Sequence, residues 1–294
     1  MPEPSTYRVV VTGSNGQLGM AFARITGAHP RLQFTFLSRL EFPLEDPKKM
    51  EAWLDQHPVD IFIHCAAYTA VDKAETEKEK AFQLNATVPG ILAGLLSKKK
   101  SRLVFISTDY VFDGTSSTPL TEESNTNPIN TYGASKLEGE RRVLKNNPDT
   151  QVIRTSWLYS VSGNNFVKTM MSLMKERESI RVVHDQKGSP TYAGDLANAI
   201  LQILESDHFI PGIYHYSNEG ETSWFEFAEE IKKLTGSACN VLPIPSSGFP
   251  TQAKRPAYSL LDKSKIRKTY GLYIPDWKTS LALCIDILKK QGVY

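Results

Sequence analysis

The first half of the chain alternates short apolar runs with segments of helical periodicity, and this alternation is the strongest constraint on its fold. The runs YRVVVT, LQFTFLSR, VDIFIHCA and RLVFIS each predict a strand, and segments with helical spacing separate them. One of these helices should begin at Asp46 and Pro47, residue types that suit an N-cap and a first helical turn. Continuously apolar strands that alternate with helices are typical of a parallel sheet covered on both faces. The pattern therefore predicts an α/β fold with a Rossmann-type doubly wound parallel sheet.

A glycine-rich turn follows the first predicted strand directly. In GSNGQLG, Gly13, Gly16 and Gly19 are spaced three apart, and the helical segment QLGMAFARIT comes next. Glycines at such a junction allow a tight turn, a close approach of the backbone to a pyrophosphate, and close packing of the helix on the sheet. The spacing differs from the GxGxxG form, but its place between strand and helix predicts a dinucleotide-binding site.

After Thr150 the pattern is less regular. QVIRTSWLYS, IRVVHD and GIYHYS predict strands, FVKTMMSLMKER predicts a helix, and AFQLNATVPGILAGLLS before them predicts one long helix. The Pro- and Ser-rich stretch over residues 241–259 predicts an ordered surface loop before a C-terminal helix. We therefore expect a nucleotide-binding Rossmann domain over 1–156, to which strands return from about 180–218, and a smaller lobe, mainly substrate-binding, over 157–294.

Composition excludes several other classes of protein. The 294 residues carry a net charge of only +2, so neither nucleic acid nor an anionic membrane surface is an expected partner. No apolar run approaches the roughly 18 residues of a membrane span, and MPEPSTYR has no features of a signal peptide. Cys65, Cys239 and Cys284 are far apart and form no CxxC pair, which favours a reducing, cytoplasmic location.

The residue after the second predicted strand bears on cofactor choice. Arg39 stands where an acidic residue would bind a ribose 2′-hydroxyl. A guanidinium group can instead hold a 2′-phosphate through paired hydrogen bonds, which favours NADPH and leaves NADH possible. A solvated loop arginine is the alternative interpretation.

Tyr132 and Lys136 lie four residues apart in TYGASKLEGE and would share one face of a helix. A free phenol has a pKa of about 10, and a nearby ammonium group favours its deprotonated form. Tyr132 could then donate a proton to a carbonyl oxygen as hydride arrives at carbon. An ordinary helix face is the alternative, and the glycine turn upstream makes it less favoured.

The segment STDYVFDG ends the fourth predicted strand, at the sheet edge where ligands bind in open α/β folds. Thr108 could hydrogen-bond a substrate oxygen beside Tyr132. Because Ser, Thr and Asp also form turns and helix caps, a purely local role is the alternative.

Together, the glycine turn, HCAAYTAVDKAE, STDYVFDG and the YxxxK pair resemble the extended short-chain dehydrogenase/reductase family. The resemblance continues through RTSWLYS, GNNFVKTM, DQKGSPTYAGDLA, GIYHYSNEGETSW and RPAYSLLD, and so covers nearly the whole chain. Within the family it is to reductases of dTDP-linked keto sugars. It implies that NAD(P)H reduces the C4 keto group of dTDP-4-dehydro-β-L-rhamnose to give dTDP-β-L-rhamnose.

The resemblance also implies roles for individual residues. Catalysis would use Tyr132 as proton donor, Lys136 as its partner, and Thr108. Together with the glycine motif and Arg39, it assigns the cofactor contacts to Gly13, Gly16, Gln17, Leu18, Gly19, Arg39, Ala66, Ala67, Tyr68, Tyr132 and Lys136. It assigns the substrate contacts to Thr108, Asp109, Trp157, Asn165 and Arg255, the last through the diphosphate. A core position for Trp157 and a helix cap for Asn165 are the alternatives.

The chain departs from the family pattern at two places. Pro43 and Leu44 stand where related proteins often carry an acidic residue near the adenine. Ala21 stands where some members use an acidic residue to bind Mg²⁺, so no metal is predicted. We expect simple packing roles for His64, Cys65, His184 and His215.

Alternative functions of the same fold remain open at this point. A nucleotide-sugar dehydratase or epimerase is one, but dehydration needs a further carboxylate, and the chain reads Thr108-Asp109-Tyr110. A non-catalytic NADP-binding regulatory subunit, resembling the methionine adenosyltransferase β subunit, is another. We expect a dTDP-sugar as the partner, and a homodimer is possible.

Overall fold

A computed structural model describes residues 6–206 and 208–292 of the chain. Residues 1–5, which belong to the N-terminal segment where no signal peptide is expected, lie outside this described part. Within these described ranges the central sheet has six strands: β1 Tyr7–Thr12, β2 Leu32–Leu37, β3 Ile61–His64, β4 Arg102–Thr108, β5 Thr150–Thr155 and β10 Gly212–His215. All pair in parallel, in the order β2-β1-β3-β4-β5-β10. No helix in the described ranges is long and apolar enough to cross a membrane.

Helices cover both faces of the sheet, as the sequence pattern predicts for a doubly wound fold. The helices are α1 Gln17–Ile25, α2 Pro47–Gln56, α3 Val71–Ala74, α4 Lys78–Phe82, α5 Val88–Lys98, α6 Thr131–Asn146, α7 Phe166–Glu176, α8 Ala193–Glu205, α9 Trp224–Thr235, α10 Ser264–Tyr270 and α11 Trp277–Lys290. Helices α1 and α8 pack together on one face, and α2, α5 and α6 pack on the other.

Successive side chains of β1 pack into two different hydrophobic cores, one on each face of the sheet. Val9 and Val11 belong to the core beneath α1 and α8, where Phe22 is fully buried. Val10 belongs to the core on the opposite face, together with Leu92 of α5. Successive side chains of a strand point to opposite faces, so a strand covered on both sides has to be apolar throughout.

The C-terminal part forms a second lobe with its own core between α7, α9 and α11. Its strands are the short segments β6 Leu158–Tyr159, β7 Ser179–Val183, β8 Lys187–Gly188, β9 Thr191–Tyr192, β11 Thr222–Ser223 and β12 Asn240–Ile244. Among the segments expected to return to the main sheet, β10 joins it, whereas β7 pairs with β12. The expected loop over 241–259 is therefore wrong at its start, because residues 241–244 pair along β7 despite their proline.

Local expectations have mixed outcomes. Asp46 caps α2 as predicted, since its carboxylate accepts a hydrogen bond from the Lys49 amide at 3.2 Å. The single long helix expected over residues 81–97 is confirmed, since the chain is continuously helical over 78–98, although a π-helical turn, Gln83–Thr87, divides it into α4 and α5. The strand expected over 151–160 is also divided, at Trp157, whose φ is +47°.

The sheet order decides where a ligand can bind. From β1 the chain crosses to β2 on one side, and β3 then lies on the other side of β1. The helices that follow these strands therefore diverge, which opens a crevice at the carboxyl ends of β1 and β3.

Candidate active site

The glycine turn forms the floor of this crevice. Gly13 has a φ of +69°, and a Cβ atom there would lie 2.8 Å from the amide nitrogen of Ala66. A Cβ on Gly19 would collide with the carbonyl oxygen of Gly13. Gly16 is the N-cap of α1, and it has no side chain that could accept a hydrogen bond from the first turn. The first backbone amides of the helix therefore face the crevice without a side-chain cap. The turn therefore offers a close-fitting, positively polarised surface for a pyrophosphate.

The crevice is a cleft of about 820 Å³, a volume within the range of ligand sites. It is bounded by the ends of the central strands on one side and by the second lobe on the other. Of the predicted cofactor residues, those that line it are Gly13, Gly16, Gln17, Leu18, Gly19, Arg39, Ala66, Ala67, Tyr132 and Lys136. Of the predicted substrate residues, those that line it are Thr108, Asp109, Trp157 and Asn165.

Tyr68 and Arg255 are the predicted site residues that are not among those lining the cleft. The backbone amide and carbonyl of Tyr68 are both bound by the Asn85 side chain, at 2.8 and 3.0 Å. Arg255 forms an ion pair with Asp72, with Nη2 2.8 Å from Oδ2 and Nη1 3.2 Å from Oδ1. A diphosphate would have to compete with Asp72 for this guanidinium.

Tyr132 and Lys136 stand one turn apart near the start of α6. Asn130 caps the helix by accepting a hydrogen bond from the Gly133 amide at 2.8 Å, which fixes the turn that carries Tyr132. Lys136 is 2% exposed, and its Nζ donates to the carbonyl oxygen of Ile106 at 2.6 Å. The ammonium is therefore anchored to the end of β4, below the half-buried phenol.

Burial dominates the electrostatics of this pair. It raises the pKa of Tyr132 to about 12, and the neighbouring Thr108 side chain opposes part of that shift. Burial lowers the pKa of Lys136 to about 7, against the attraction of the Glu140 carboxylate. The phenol accordingly holds its proton at neutral pH, as a proton donor must.

Thr108 and Asp109 form the wall beside Tyr132. The Thr108 hydroxyl accepts a hydrogen bond from the Tyr110 amide at 3.2 Å and donates to Asp109 Oδ1 at 3.1 Å. The local capping role considered for Thr108 is thus present and coexists with its place in the cleft. Asp109 is 2% exposed, and its Oδ2 has no hydrogen-bond partner within the described ranges. Burial raises the pKa of Asp109 to about 6, although the nearby Ser259 hydroxyl opposes the shift.

The second lobe closes the cleft from above. Asn165 is both a cap and a cleft residue, since it accepts from the Lys168 amide at 3.2 Å and donates to Gln17 Oε1 at 3.1 Å. Trp157 lies half-buried at the cleft, with its indole ring stacked on that of Trp224. This lobe is therefore tied to the glycine turn through an amide pair.

Arg39 lies at the outer end of the cleft, with 74% of its side chain exposed and Nη2 2.7 Å from Glu45 Oε1. A smaller cavity of about 150 Å³ adjoins it. The side chains of Phe42, Leu44 and Glu45 contribute to that cavity's lining. Leu44 therefore contributes an apolar side chain where the sequence lacks the expected acidic residue, and the next residue, Glu45, is paired with Arg39.

The histidines and Cys65 differ in their surroundings. His64 and His215 are buried, and burial lowers the pKa of each to about 3, so both are neutral. Cys65 lines the cleft, and burial raises the pKa of its thiol, which keeps it unreactive. His184 is exposed, so the packing role expected for it is wrong.

Sequence reasoning missed several residues that support the site. Asn85, in the π-helical turn, also donates to the Ser135 hydroxyl of α6 at 3.0 Å. Glu140 and Arg154 form a fully buried ion pair behind Lys136. The sequence does carry a signal for Asn85 and Glu140. A single Asn in an apolar segment, and a Glu one turn after Lys136, are both unusual in a buried helix.

A doubly wound parallel sheet with a glycine turn, and a Tyr–Lys pair at its carboxyl edge, define a dinucleotide-binding α/β protein of the short-chain dehydrogenase/reductase type. More specifically, the family model for the RmlD substrate binding domain matches residues 7–290, and the chain belongs to this family.

Known relatives match nearly the whole chain. It is 37% identical to a dTDP-4-dehydrorhamnose reductase of Burkholderia thailandensis, over 97% of this chain and 100% of that protein. It is also 37% identical to a probable dTDP-4,6-dihydroxy-2-methyloxan-3-one 4-ketoreductase of Streptomyces antibioticus, over 93% of each. A crystal structure of the Bacillus anthracis dTDP-4-dehydrorhamnose reductase in complex with NADP superposes with a TM-score of 0.92, at 39% identity over 96% of this chain and 99% of that one.

Proposed function

We propose that this protein is an NADPH-dependent reductase that converts dTDP-4-dehydro-β-L-rhamnose to dTDP-β-L-rhamnose, with Tyr132 as the proton donor. The observation that carries the proposal is the convergence of Tyr132, Lys136 and Thr108 on one cleft whose floor is the glycine turn. The full-length relative from Burkholderia thailandensis, a dTDP-4-dehydrorhamnose reductase at 37% identity, supports the sugar and the reaction, and the NADP held by the Bacillus anthracis protein supports the cofactor.

The residues of the glycine turn fit a dinucleotide. Side chains at Gly13 and Gly19 would collide with the backbone of Ala66 and of Gly13 and so displace the turn, and the uncapped start of α1 supplies amides that can donate hydrogen bonds to a pyrophosphate. Arg39 is the residue that would hold the 2′-phosphate. When bound, NADPH supplies the hydride.

The chain's own residues handle the proton. Tyr132 keeps its proton at neutral pH because partial burial of its phenol raises the pKa to about 12, and it can release that proton to a C4 oxygen that becomes negative. Lys136 lies one helical turn away and stabilises the resulting phenolate when it is charged. Thr108 offers a hydroxyl beside the phenol to orient the same oxygen.

The alternatives are less well supported. The position after Asp109 is held by Tyr110, whose ring packs edge-on against Tyr132 at 5.7 Å, so the additional carboxylate that dehydration needs is replaced by an aromatic side chain. A regulatory subunit would have no need of the buried lysine and the protonated phenol together. Both features favour a catalytic role.

The test is the oxidation of NADPH by the purified protein in the presence of dTDP-4-dehydrorhamnose. We expect turnover in the wild type, a loss of about 10²–10⁴-fold in kcat for Tyr132→Phe, and unchanged NADPH binding. Tyr273→Phe is the matched control, because that side chain is 84% exposed and is not among the residues that line the cleft.

Two results would contradict the proposal. One is full activity in Tyr132→Phe. The other is a wild type that binds NADPH but reduces no keto sugar, which would favour the regulatory function. Because the Streptomyces antibioticus relative carries a different sugar in its name, the assay should include its substrate as a competitor. A cytoplasmic location and a homodimer remain predictions, and light scattering tests the second.

A further inference from the structure

The cleft has an aromatic wall whose second member no sequence argument identified. Trp157 and Trp224 both line the cleft, with ring centroids 3.7 Å apart and planes only 12° from parallel. Phe166 contacts Trp224 in turn, at 4.6 Å and 50°. Trp224 begins α9, where Ser223 and Glu226 form a capping box that fixes the first turn. Trp157 therefore stacks on a residue whose own position is fixed by the first turn of α9.

Trp157 is held in a backbone conformation that needs such support. Its φ of +47° lies in the left-handed region, and in the described part of the chain Lys100 is the other non-glycine residue with positive φ. Strained residues of this kind persist where the surroundings over-determine them, and they cluster at functional sites. Here the Thr191 amide donates to the Trp157 carbonyl at 3.2 Å, and a Cβ on Gly188 would lie 3.1 Å from the indole.

The backbone conformation of Trp157 fixes the position of its Cβ atom. The contact with Trp224 fixes the orientation of the indole ring. An indole has two torsions, and on one side Trp224 covers a full face of the Trp157 ring. Without that face, the ring would be free to rotate away from the cleft. A sugar ring presents C–H groups that can pack on such an aromatic face, and Thr108 and Asp109, the expected sugar contacts, line the same cleft.

We propose that Trp224 is a positioning residue for the sugar subsite, holding the Trp157 indole against the hexose ring through their stacked contact. The proposal rests on the proposed function, because it takes a hexose linked to dTDP as the ligand. Trp224 itself acts through Trp157. Its loss should weaken recognition of the sugar while leaving NADPH and the nucleotide portion unaffected.

The experiment measures the Kd of dTDP-rhamnose, of dTDP alone and of NADPH by calorimetry, for the wild type, Trp224→Leu and Trp224→Phe. For Trp224→Leu we expect the Kd of dTDP-rhamnose to rise about tenfold, in line with the worth of one aromatic stack. The Kd values of dTDP and NADPH should stay the same. Trp224→Phe should restore most of the affinity. Loss of the exciton signal of the stacked indoles in near-ultraviolet circular dichroism should accompany the leucine change, with KM for the keto sugar rising more than kcat falls.

Three results would overturn the positioning role. They are an unchanged dTDP-rhamnose affinity in Trp224→Leu, an equal loss for dTDP and dTDP-rhamnose, and an equal loss for NADPH, which would indicate general damage. If the wild type binds neither dTDP-rhamnose nor dTDP, the proposed function fails and this inference fails with it. A wild type that binds and turns over, beside an unaffected Trp224→Leu, refutes the inference alone.

Discussion

Replacing Glu140 by glutamine tests whether the buried ion pair behind the site holds the site together. The Glu140 carboxylate accepts from Arg154 Nε at 3.0 Å and Nη2 at 2.7 Å, and from the Ser107 hydroxyl at 2.5 Å. Both charged side chains are 2% exposed. The pair joins α6, which carries Lys136, to the ends of β4 and β5. Glutamine keeps the shape of the side chain and removes its charge.

The expected cost follows from this burial. Removing one partner of a buried pair leaves the other charge uncompensated and costs about 3–5 kcal/mol. An unfolding entropy of about 2.1 cal/mol/K per residue over 294 residues gives roughly 0.6 kcal/mol/K. A loss of ~4 kcal/mol should therefore lower Tm by about 6 °C. Replacing both partners, as in Glu140→Gln with Arg154→Met, should recover much of the loss because no charge is left unpaired.

The same helix provides the control. Glu138 pairs with Arg142 at 2.7 Å, but these side chains are 32% and 43% exposed. An exposed pair four residues apart contributes only about 0.3–0.5 kcal/mol, so Glu138→Gln should barely change the free energy of unfolding measured in urea. If the two single variants differ by less than about 1 kcal/mol, the argument from burial is wrong.

Three further predictions concern the cleft. Burial raises the pKa of Asp109 from 3.8 to about 6. Between about pH 4 and 6 the folded protein therefore keeps a proton that the unfolded chain has released. The free energy of unfolding consequently falls as the pH rises through that window. Asp109→Asn should therefore raise the free energy of unfolding above pH 6 by up to ~3 kcal/mol and flatten its pH dependence, and lower stability of this variant at pH 8 would refute the cause given. Gly19→Ala should abolish NADPH binding, measured by cofactor fluorescence, because its Cβ meets the Gly13 carbonyl, whereas Gly27→Ala meets nothing within 4 Å and should bind normally. Arg39→Ala should raise the Kd of NADPH about tenfold or more and leave that of NADH unchanged, and an equal effect on both would remove the 2′-phosphate assignment.

Much of the frame was accessible from the sequence, because it depends on local patterns. Runs that are apolar on both faces have to lie inside a covered sheet, and the three glycines after the first strand mark a turn that only small residues can form. The Asp46 cap and the shared helix face of Tyr132 and Lys136 follow from spacing within one or two turns. These signals determined the doubly wound sheet and the edge at which the cleft lies.

The tertiary structure decided which partner each side chain meets. Trp224 stacks on Trp157 although the two residues are far apart in the sequence. Arg255, which was expected to bind a diphosphate, forms an ion pair with Asp72. Asn85, in the π-helical turn, bonds both the loop after β3 and the Ser135 hydroxyl of α6. Charged, aromatic and amide side chains can each form ion pairs, ring contacts or hydrogen bonds with many different partners. The periodicity of a sequence does not indicate which of these partners lies nearby in the fold. Only the folded chain, which brings distant segments within hydrogen-bonding distance, makes that choice.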